Sequence, residues 1–347
     1  MPLYIDLHID QNLTSDLVKK CHVADKEIQE RYGVKYLQIL LNEPQGYLFC
    51  LVEGPDKETC ARVHREAHGN IACNILEITE SDFSALLVGK QKNGHDFTLN
   101  HDGTLDTGTR VILSIGVIGP QQYYKDAHII IQHAFKNYDG RQGTSLDNRL
   151  MAVFDSCTTA IHAGLTIKNK IFGVLPVEVR MGVSMGMPLE EMGNFFGDVQ
   201  KSADYFSFVS EPGQMTLSSK VIQQYKGTIK STDPVRIMTL ADEKFLNQVM
   251  TSIEKVWDDN AMTITDFAHE IGMSKSQLAR KLKLVSGLSP NDFLKEFRLR
   301  KAVALMENHS MNIAEITMAT GFTNPSYFTK CFRKRFGKAP SDYLTAH

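Results

Sequence analysis

Apolar and polar residues alternate in the first 79 residues in a way that predicts four strands and two helices. Residues 3–10 form a strand with one apolar face and one face that carries Tyr4, Asp6, His8 and Asp10. Thr14 and Asp56 stand where helix caps are expected, and Gly69 is placed to end the second helix. With strands in VKYLQILLN, GYLFCLVEG and NILEIT, the order is β-α-β-β-α-β, which predicts a ferredoxin-like sandwich.

The rest of the chain divides by its pattern into three parts. Residues 80–109 show little periodicity and are rich in Gly, Asp, Thr and Asn, which suits a linker or a small hairpin. Residues 110–240 mix strands with helices near 121–137, 155–169 and 195–208. From about Asp242 the pattern is helical to the end. We therefore predict an α+β chain with a ferredoxin-like domain (1–79), a linker (80–109), a second α+β domain (110–240) and an all-α domain (241–347).

Two stretches of the helical part repeat one plan. Residues 264–287 and 313–337 each place a short apolar-faced helix before a glycine, Gly272 or Gly321. Ser274 or Thr323 then stands where a second helix would begin. Glycine supplies the left-handed backbone that a tight turn between helices needs. The plan predicts two helix-turn-helix units, joined by a long helix that starts near Ser289.

The second helix of each unit is expected to face DNA. Such a helix lies in the major groove, with its early residues near base edges. The apolar positions point inward, so the outward residues predicted to read bases are Lys275, Ser276, Gln277, Arg280, Asn324, Ser326, Tyr327 and Lys330. Phosphate contacts are predicted for Lys281, Lys283, Arg333, Lys334 and Arg335. The alternative is a helical packing domain whose lysines and arginines are simply solvated.

Charge supports the first of these interpretations. The chain has a formal net charge of -2, yet residues 258–347 carry 13 Lys and Arg against 9 Asp and Glu, a net +4. The hydrophobic fraction of 42% and the charged fraction of 22% are typical of globular proteins. The start, MPLYIDLHID, has acids where a signal peptide would be basic, and the six cysteines form no CxxC pair. We expect a cytoplasmic protein without a membrane partner.

The segment from about 250 to 347 resembles the DNA-binding domain of AraC/XylS-type transcription regulators. FRLRKAVALM and AEITMATGFTNPSYFTKCFRKRFGKAPSDY carry this resemblance. It implies two recognition helices in successive major-groove turns on one face of the DNA.

Residues 110–220 resemble class III nucleotide cyclases, with EPGQMTLS as the best-matching part. The family's two metal-binding aspartates would fall on Gly116 and Asn148, the latter beside Asp147. Its transition-state Asn and Arg would fall on Lys201 and Tyr205. Without paired carboxylates the two metal ions lack ligands. The resemblance therefore implies a degenerate domain kept for dimerisation or small-molecule sensing, and no enzyme.

Histidines concentrate in the first domain. His64 and His68 are four residues apart on one predicted helix face, with Cys60 one turn earlier, and imidazoles at that spacing can share a metal ion. Solvated or hydrogen-bonded histidines are the alternative. MPLYIDLHI, ERYGVKYLQILLNEPQGYLFCLVEGPDKE and VHREAHG also resemble a family of small nickel-binding ferredoxin-like proteins, over nearly all of 1–79. The candidate ligands of nickel or another divalent transition metal are Asp6, His8, His22, His64 and His68.

The predicted strand also suggests where these ligands lie. If the helices pack on the apolar face with Leu3, Ile5 and Leu7, then Asp6 and His8 face solvent or a second sheet. His64 and His68 need not join them, and could form a second site at the surface.

These patterns together predict a homodimeric, sequence-specific transcription regulator of double-stranded DNA. Its two α+β domains would form the sensory and dimerisation region, with a small molecule or a metal ion as effector. The rival interpretation is a metal-binding or nucleotide signalling protein whose helical tail mediates protein contacts. Salt-dependent DNA binding separates the two, because phosphate contacts release counterions.

Overall fold

The computed structural model describes the chain except residues 88–89, 101, 144–148, 190–193, 308–310 and 345–347. The N-terminal domain has the predicted β-α-β-β-α-β order, with strands that pair antiparallel in the order β2-β3-β1-β4. Thr14 and Asp56 cap the two helices, as predicted. The elements are β1 (Leu3–Ile9), α1 (Ser15–Ile28), β2 (Lys35–Asn42), β3 (Tyr47–Glu53), α2 (Lys57–Ala67) and β4 (Asn74–Ile78).

The two faces of β1 are arranged opposite to the expectation. Its polar face packs under α1 and α2, where Tyr4 joins a core with Val18 and Val63. Its apolar face, with Ile5 and Leu7, packs against the next domain. The expectation was wrong because both faces are buried, and alternation alone does not tell which one the helices cover.

Residues 80–109 form structure of their own. They contain α3 (Glu80–Leu87) and a hairpin of β5 (Gln91–Lys92) and β6 (Thr98–Leu99). The backbone of Ile39 in β2 donates to the Asp96 carbonyl at 2.8 Å, and that of Leu41 donates to Asp106 at 3.0 Å. Of the two alternatives, linker or hairpin, the segment takes the second and lies along the edge of the first sheet.

The second domain is a sheet in the order β12-β11-β10-β7-β9-β8. The helices α4 and α5 cover one face of this sheet. The opposite face is shared by α6 and the apolar face of the first sheet. The elements are β7 (Arg110–Ile118), α4 (Tyr124–Asn137), β8 (Arg141–Gln142), β9 (Leu150–Phe154), α5 (Cys157–Ile171), β10 (Glu178–Gly186), α6 (Gly197–Val209), β11 (Met215–Leu217), α7 (Ser219–Gln224) and β12 (Val235–Ile237).

The helix α6 is the element that touches all three parts of the chain. Its first half, with Val199 and Ala203, packs in the core shared with the N-terminal sheet. Its second half, with Tyr205 and Phe208, packs in the core of the C-terminal helices. Between these contacts α6 lies on β10 at Gly182, where an added Cβ would stand 2.0 Å from the Ala203 carbonyl oxygen.

The C-terminal domain is all helical, as predicted. Its helices are α8 (Leu240–Val256), α9 (Ile264–Glu270), α10 (Lys275–Ser286), α11 (Pro290–Glu307), α12 (Ile313–Ala319), α13 (Pro325–Phe336) and α14 (Pro340–Leu344). One core joins α8 to the first helix-turn-helix unit and to α6, and a second core lies under α12 and α13. In the part of the chain that the structure describes, every helix is too short or too polar to cross a bilayer.

Candidate metal centre and nucleic-acid interface

Asp6 and His64 form the centre of a buried polar cluster between the first sheet and α2. The His64 Nε2 lies 2.7 Å from Asp6 Oδ2, and both side chains are about 1% exposed. The backbone N–H of Cys50 donates to Asp6 Oδ1 at 3.0 Å. His8 Nε2 approaches the same oxygen at 3.5 Å. The polar face of β1 tolerates burial because α2 brings it a partner.

The second nitrogen of His64 faces another carboxylate. His64 Nδ1 lies 3.2 Å from Asp25 Oδ1, and His68 Nε2 lies 3.2 Å from the same oxygen. Burial opposes a charge on His64, but the carboxylates of Asp6 and Asp25 raise its pKa to about 10. Each carboxylate pKa is lowered in turn, against the effect of burial, by its histidine partners. His64 is thus an imidazolium between two carboxylates, and a metal ion bound through it must displace a proton.

Donor atoms in this cluster approach one another as metal ligands do. One atom each of Asp6, His8, Cys50 and His64 lies within 4.8 Å of the others, and so do atoms of Asp25, His64 and His68. Ligands about 2.0–2.3 Å from one ion are separated by up to about 4.6 Å. Imidazole, carboxylate and thiolate together suit a first-row transition ion such as nickel, copper or zinc. The residues therefore fit a divalent metal ion.

His22 lies beside this cluster and is held by a residue from the hairpin. Its Nε2 is 3.0 Å from Asp96 Oδ2, and Lys26 and Lys92 reach the same carboxylate. Its Nδ1 is buried and has no hydrogen-bond partner among the described residues. Burial lowers the pKa of His22, against the raising effect of Asp96, so the ring is neutral near pH 7. A neutral imidazole fixed by a carboxylate presents its free nitrogen as a ligand or an acceptor.

The predicted ligands Asp6, His8, His64 and His68 thus come together, with His22 nearby. One expectation about them was wrong, and one arrangement that the sequence left open is not found. Asp6 and His8 lie between the sheet and its own helices, and not between two sheets. His64 is buried and contacts Asp6, so His64 and His68 do not form a separate surface site.

Sequence reasoning missed Asp25, Cys50 and Asp96. Asp25 follows His22 by three residues on α1, which was a usable signal for one helix face. Cys50 and Asp96 offered none, since only tertiary pairing brings them to the cluster.

The two helix-turn-helix units have the predicted turns. Gly272 and Gly321 both have φ of +71°, a left-handed conformation that side chains rarely adopt. Leu278, Leu282, Phe328 and Phe332 are buried, as predicted. All the residues predicted to contact DNA except Arg335 are exposed, on α10, on α13 or at the cap of α13: Lys275, Ser276, Gln277, Arg280, Lys281, Lys283, Asn324, Ser326, Tyr327, Lys330, Arg333 and Lys334.

Two of these side chains also hold their own helices. Gln277 Oε1 accepts from the Ser274 backbone N–H at 2.9 Å, which closes a capping box. Asn324 Oδ1 accepts from the backbone of Ser326 and Tyr327, so Asn324, and not Thr323, caps α13. The Asn324 oxygen accepts two hydrogen bonds, so its amide N–H groups remain for a base edge, whereas Gln277 Oε1 accepts one and can still accept a second. Among the described residues, Arg280 and Lys330 make no such structural bond, so they are the stronger candidates for base contact.

Arg335 does not have the predicted role. It was expected to contact phosphate, but its guanidinium lies 2.8 Å from Glu296 in α11 and 2.9 Å from Glu178 in β10. Both carboxylates also pair with another arginine, Arg300 or Arg180. Basic charge at the end of α13 looks the same in sequence whether its partner is phosphate or carboxylate. Here Arg335 joins the second helix-turn-helix unit to the middle domain.

Replacing Arg335 by alanine is expected to lower the free energy of unfolding by about 2 kcal/mol, because two part-buried carboxylates lose a partner. Burial tends to raise the pKa of Glu296, but its arginine partners lower it to about 2, from an ordinary value of 4.5. The contribution of the ion pairs of Glu296 to the free energy of unfolding is therefore complete above about pH 4.5 and is lost as the pH falls toward 2. Thermal unfolding at pH 7 and pH 3 measures it, with the exposed Arg333→Ala as control. An equal effect of both variants at pH 7 would contradict the prediction.

The structure describes some of the positions that the cyclase resemblance identifies. Gly116 lies in β7, and an added Cβ there would meet only Ser207 Oγ at 3.4 Å. Lys201 is exposed on α6, and the Tyr205 hydroxyl donates to Glu254 of α8 at 3.0 Å. Asp147 and Asn148 lie outside the described residues. The cyclase resemblance of the middle domain stays a prediction.

Comparison with known proteins finds relatives for both ends of the chain. A family model described as a helix-turn-helix domain matches residues 267–346, and one described as nickel responsive protein SCO4226-like matches residues 4–78. The solved structure of SCO4226 from Streptomyces coelicolor A3(2) is 32% identical, covering 22% of this chain and 94% of its own, with a TM-score of 0.21.

Two curated relatives match over a smaller share of their own length than SCO4226 does. The HTH-type transcriptional regulator ExsA from Pseudomonas aeruginosa is 38% identical over 82 residues, which are 24% of this chain and 30% of ExsA. Histidine kinase P4 from Formosa agariphila is 35% identical over 102 residues, which are 29% of this chain and 7% of that protein. The chain thus spans no more than 30% of either relative. Residues 267–346 form a helix-turn-helix domain of the AraC type, and residues 4–78 form a domain similar to the nickel-responsive SCO4226-like proteins.

Proposed function

We propose that this protein is a sequence-specific regulator of transcription that binds double-stranded DNA through both helix-turn-helix units. The observation that carries the proposal is the pair of recognition helices α10 and α13, each begun by a side-chain cap and each exposing basic residues. These are Lys275, Arg280 and Lys281 on α10 and Lys330, Arg333 and Lys334 on α13. Arg280 and Lys330 contact base edges, and Arg333 and Lys334 contact phosphates. The middle domain forms a homodimer contact and carries no catalytic activity.

We further propose that a divalent metal ion, with nickel as the first candidate, is the effector. The buried set of Asp6, His8, Cys50 and His64 supports this, as does the similarity to nickel-responsive proteins. Asp25, His68 and His22 complete the surroundings of the ion. A ligand shifts an equilibrium only if it binds the two states unequally. The ion must therefore favour one arrangement of the N-terminal domain, whose apolar face meets α6, the helix that also contacts the DNA-binding domain.

Arg280→Ala is expected to weaken binding to a cognate duplex by about 1–3 kcal/mol and to relax base preference, because Arg280 reads a base edge. Lys334→Ala should weaken binding to all duplexes alike and reduce the salt dependence, because Lys334 contacts phosphate. A duplex selected from random-sequence DNA by the full-length protein serves as the cognate site, and binding is measured over a range of salt concentrations. Lys170→Ala, at an exposed position on α5, is the control.

Full-length protein that ignores duplex DNA at low salt, with and without Ni²⁺, would contradict the DNA-binding proposal. That outcome would favour the rival, a metal-binding or signalling protein whose helices mediate protein contacts. DNA binding with an affinity that Ni²⁺ does not change would contradict the effector proposal alone.

Incubation with ATP or GTP and magnesium or manganese is expected to give no cyclic nucleotide. The position that the resemblance assigns to the first metal-binding aspartate is Gly116, which has no ligand atom in its side chain. Chromatography of the reaction mixture checks this. Formation of cyclic AMP or cyclic GMP that Asp147→Asn abolishes would overturn the prediction and would place the second metal ligand at Asp147.

A further inference from the structure

A cavity of about 260 Å³ opens beside the metal ligands. Its lining includes the polar residues His8, His22, Asp25, Cys50, His64 and His68. It also includes the apolar residues Leu13, Leu17, Val18, Ile39, Leu48 and Ile71. An engineered apolar cavity of about 150 Å³ holds benzene, so this space exceeds what a bare ion and one or two waters fill.

Three polar atoms of cavity-lining residues have no hydrogen-bond partner among the described residues: His8 Nε2, His22 Nδ1 and Asp25 Oδ1. His8 Nε2 still lies 3.5 Å from Asp6 and Asp25 Oδ1 lies 3.2 Å from His64, whereas the described residues offer no such ion-pair contact to His22 Nδ1. His22 is 4% exposed, and its Nε2 is fixed by Asp96, which leaves Nδ1 as a buried acceptor at the cavity. Asp96 belongs to the hairpin, outside the residues 4–78 that match the nickel-responsive family. It adopts a left-handed φ of 63°, and its carbonyl accepts from Ile39, so the backbone is fixed where it holds His22. A buried acceptor left unpaired is destabilising, and a donor group on a ligand would recover that lost hydrogen bond.

The charges of the cavity indicate which ligands suit it. Its ionisable lining consists of carboxylates, imidazoles and thiols, with Asp10 and Asp25 as the acids, and includes no lysine or arginine among the described residues. Such a lining disfavours an anionic chelator and favours a neutral or cationic one. A nitrogen donor completes the coordination of a first-row ion without adding negative charge.

From these three features we propose that the cavity binds the divalent metal together with a small organic co-ligand of the amine or imidazole class. The co-ligand coordinates the ion through nitrogen, donates an N–H to His22 Nδ1 and packs its carbon skeleton against Leu17, Leu48 and Ile71. The effector is then a metal chelate and not the bare ion. This inference rests on the proposed metal site, and it names what that site recognises.

Histamine is a suitable probe, because it is a bidentate nitrogen chelator without a carboxylate. The full-length protein is loaded with equimolar Ni²⁺ and titrated with histamine or with malonate, a bidentate dianion, while the nickel absorption bands are followed. Each affinity is divided by that of the same chelator for aqueous Ni²⁺. The histamine ratio is expected to exceed the malonate ratio by about tenfold or more, as one recovered hydrogen bond and the charge preference require.

Variants at the mouth of the cavity test the location. Ile71→Trp and Leu17→Trp place bulk in the cavity at residues that are 52% and 38% exposed, so the fold has room for them. Both are expected to reduce histamine binding by about tenfold while Ni²⁺ binding stays unchanged. Val23→Trp, at a 51% exposed position of α1 that is not part of the cavity lining, is the control and should behave as wild type.

The possible failures are distinguishable. A protein that binds Ni²⁺ but shows equal ratios for histamine and malonate, or that loses its ion to histamine, overturns this inference alone. So does histamine binding that Ile71→Trp, Leu17→Trp and Val23→Trp leave equally intact. A protein that does not bind Ni²⁺ overturns the proposed metal function, and this inference with it.

Discussion

His64→Ala is expected to weaken Ni²⁺ binding to the full-length protein by about a hundredfold or more, because a ligand common to both donor sets is lost. His64 is the residue that the set with Asp6, His8 and Cys50 shares with the set of Asp25 and His68. Loss of any other member leaves one set intact, whereas loss of His64 breaks both. Isothermal titration with Ni²⁺ measures the effect.

Two comparisons make the His64 result interpretable. His95→Ala removes an exposed histidine of the hairpin and should bind Ni²⁺ as wild type does. His68→Ala, which removes a member of one set only, should give an intermediate affinity. Because His64→Ala leaves Asp6 and Asp25 buried with fewer partners, circular dichroism must first show that the variant is folded. If the folded His64→Ala variant binds Ni²⁺ as tightly as wild type does, the cluster is not a metal site.

Gly182→Ala is expected to destabilise the protein by about 4 kcal/mol or more, because the new methyl group has no space. An added Cβ would lie 2.0 Å from the Ala203 carbonyl oxygen and 2.4 Å from the Ser207 backbone nitrogen. Both atoms belong to the backbone of α6, so no side-chain rotation relieves the contact. The helix would have to move off β10, and α6 also supports the cores on either side of it.

Gly116→Ala is the matched control for Gly182→Ala. Gly116 lies on the adjacent strand β7, pairs with Arg180 and faces the same helix, yet its added Cβ would meet only Ser207 Oγ at 3.4 Å. The thermal unfolding midpoint of Gly116→Ala should change little, or rise slightly, since alanine loses less conformational entropy than glycine on folding. Thermal unfolding of the two variants side by side checks the prediction. Similar midpoints for Gly182→Ala and wild type would mean that α6 does not lie against β10 as described.

Local signals in the sequence were sufficient for the elements and their order. Thr14, Asp56 and Ser274 cap helices where the pattern places them, and Gly272 and Gly321 make the predicted turns. These features depend on residues a few positions apart, so a single sequence contains them. The β-α-β-β-α-β order and the doubled helix-turn-helix followed from them.

What the sequence did not predict depends on distant residues. Asp6 and His64 are 58 positions apart, and no periodicity in the sequence predicts that their side chains are in contact. Alternation in β1 correctly separated two faces, but both faces are buried. Which face packs against the helices and which against the second domain depends on residues of those other elements. Arg335 lies in a run of basic residues whose other members are exposed, and its carboxylate partners Glu296 and Glu178, 39 and 157 positions away, distinguish it.

The position of α6 between the two cores has a consequence for its length. Each residue of a helix advances the direction of the following side chains by about 100°. Insertion or deletion of one residue between Ala203 and Tyr205 would leave Val199 on the N-terminal sheet and turn Phe208 away from Phe293, which it now contacts with ring centroids 5.2 Å apart. The phase of this helix therefore fixes the orientation of the C-terminal helices relative to the N-terminal domain. Substitutions along α6 can be absorbed by repacking, but a change in its length cannot.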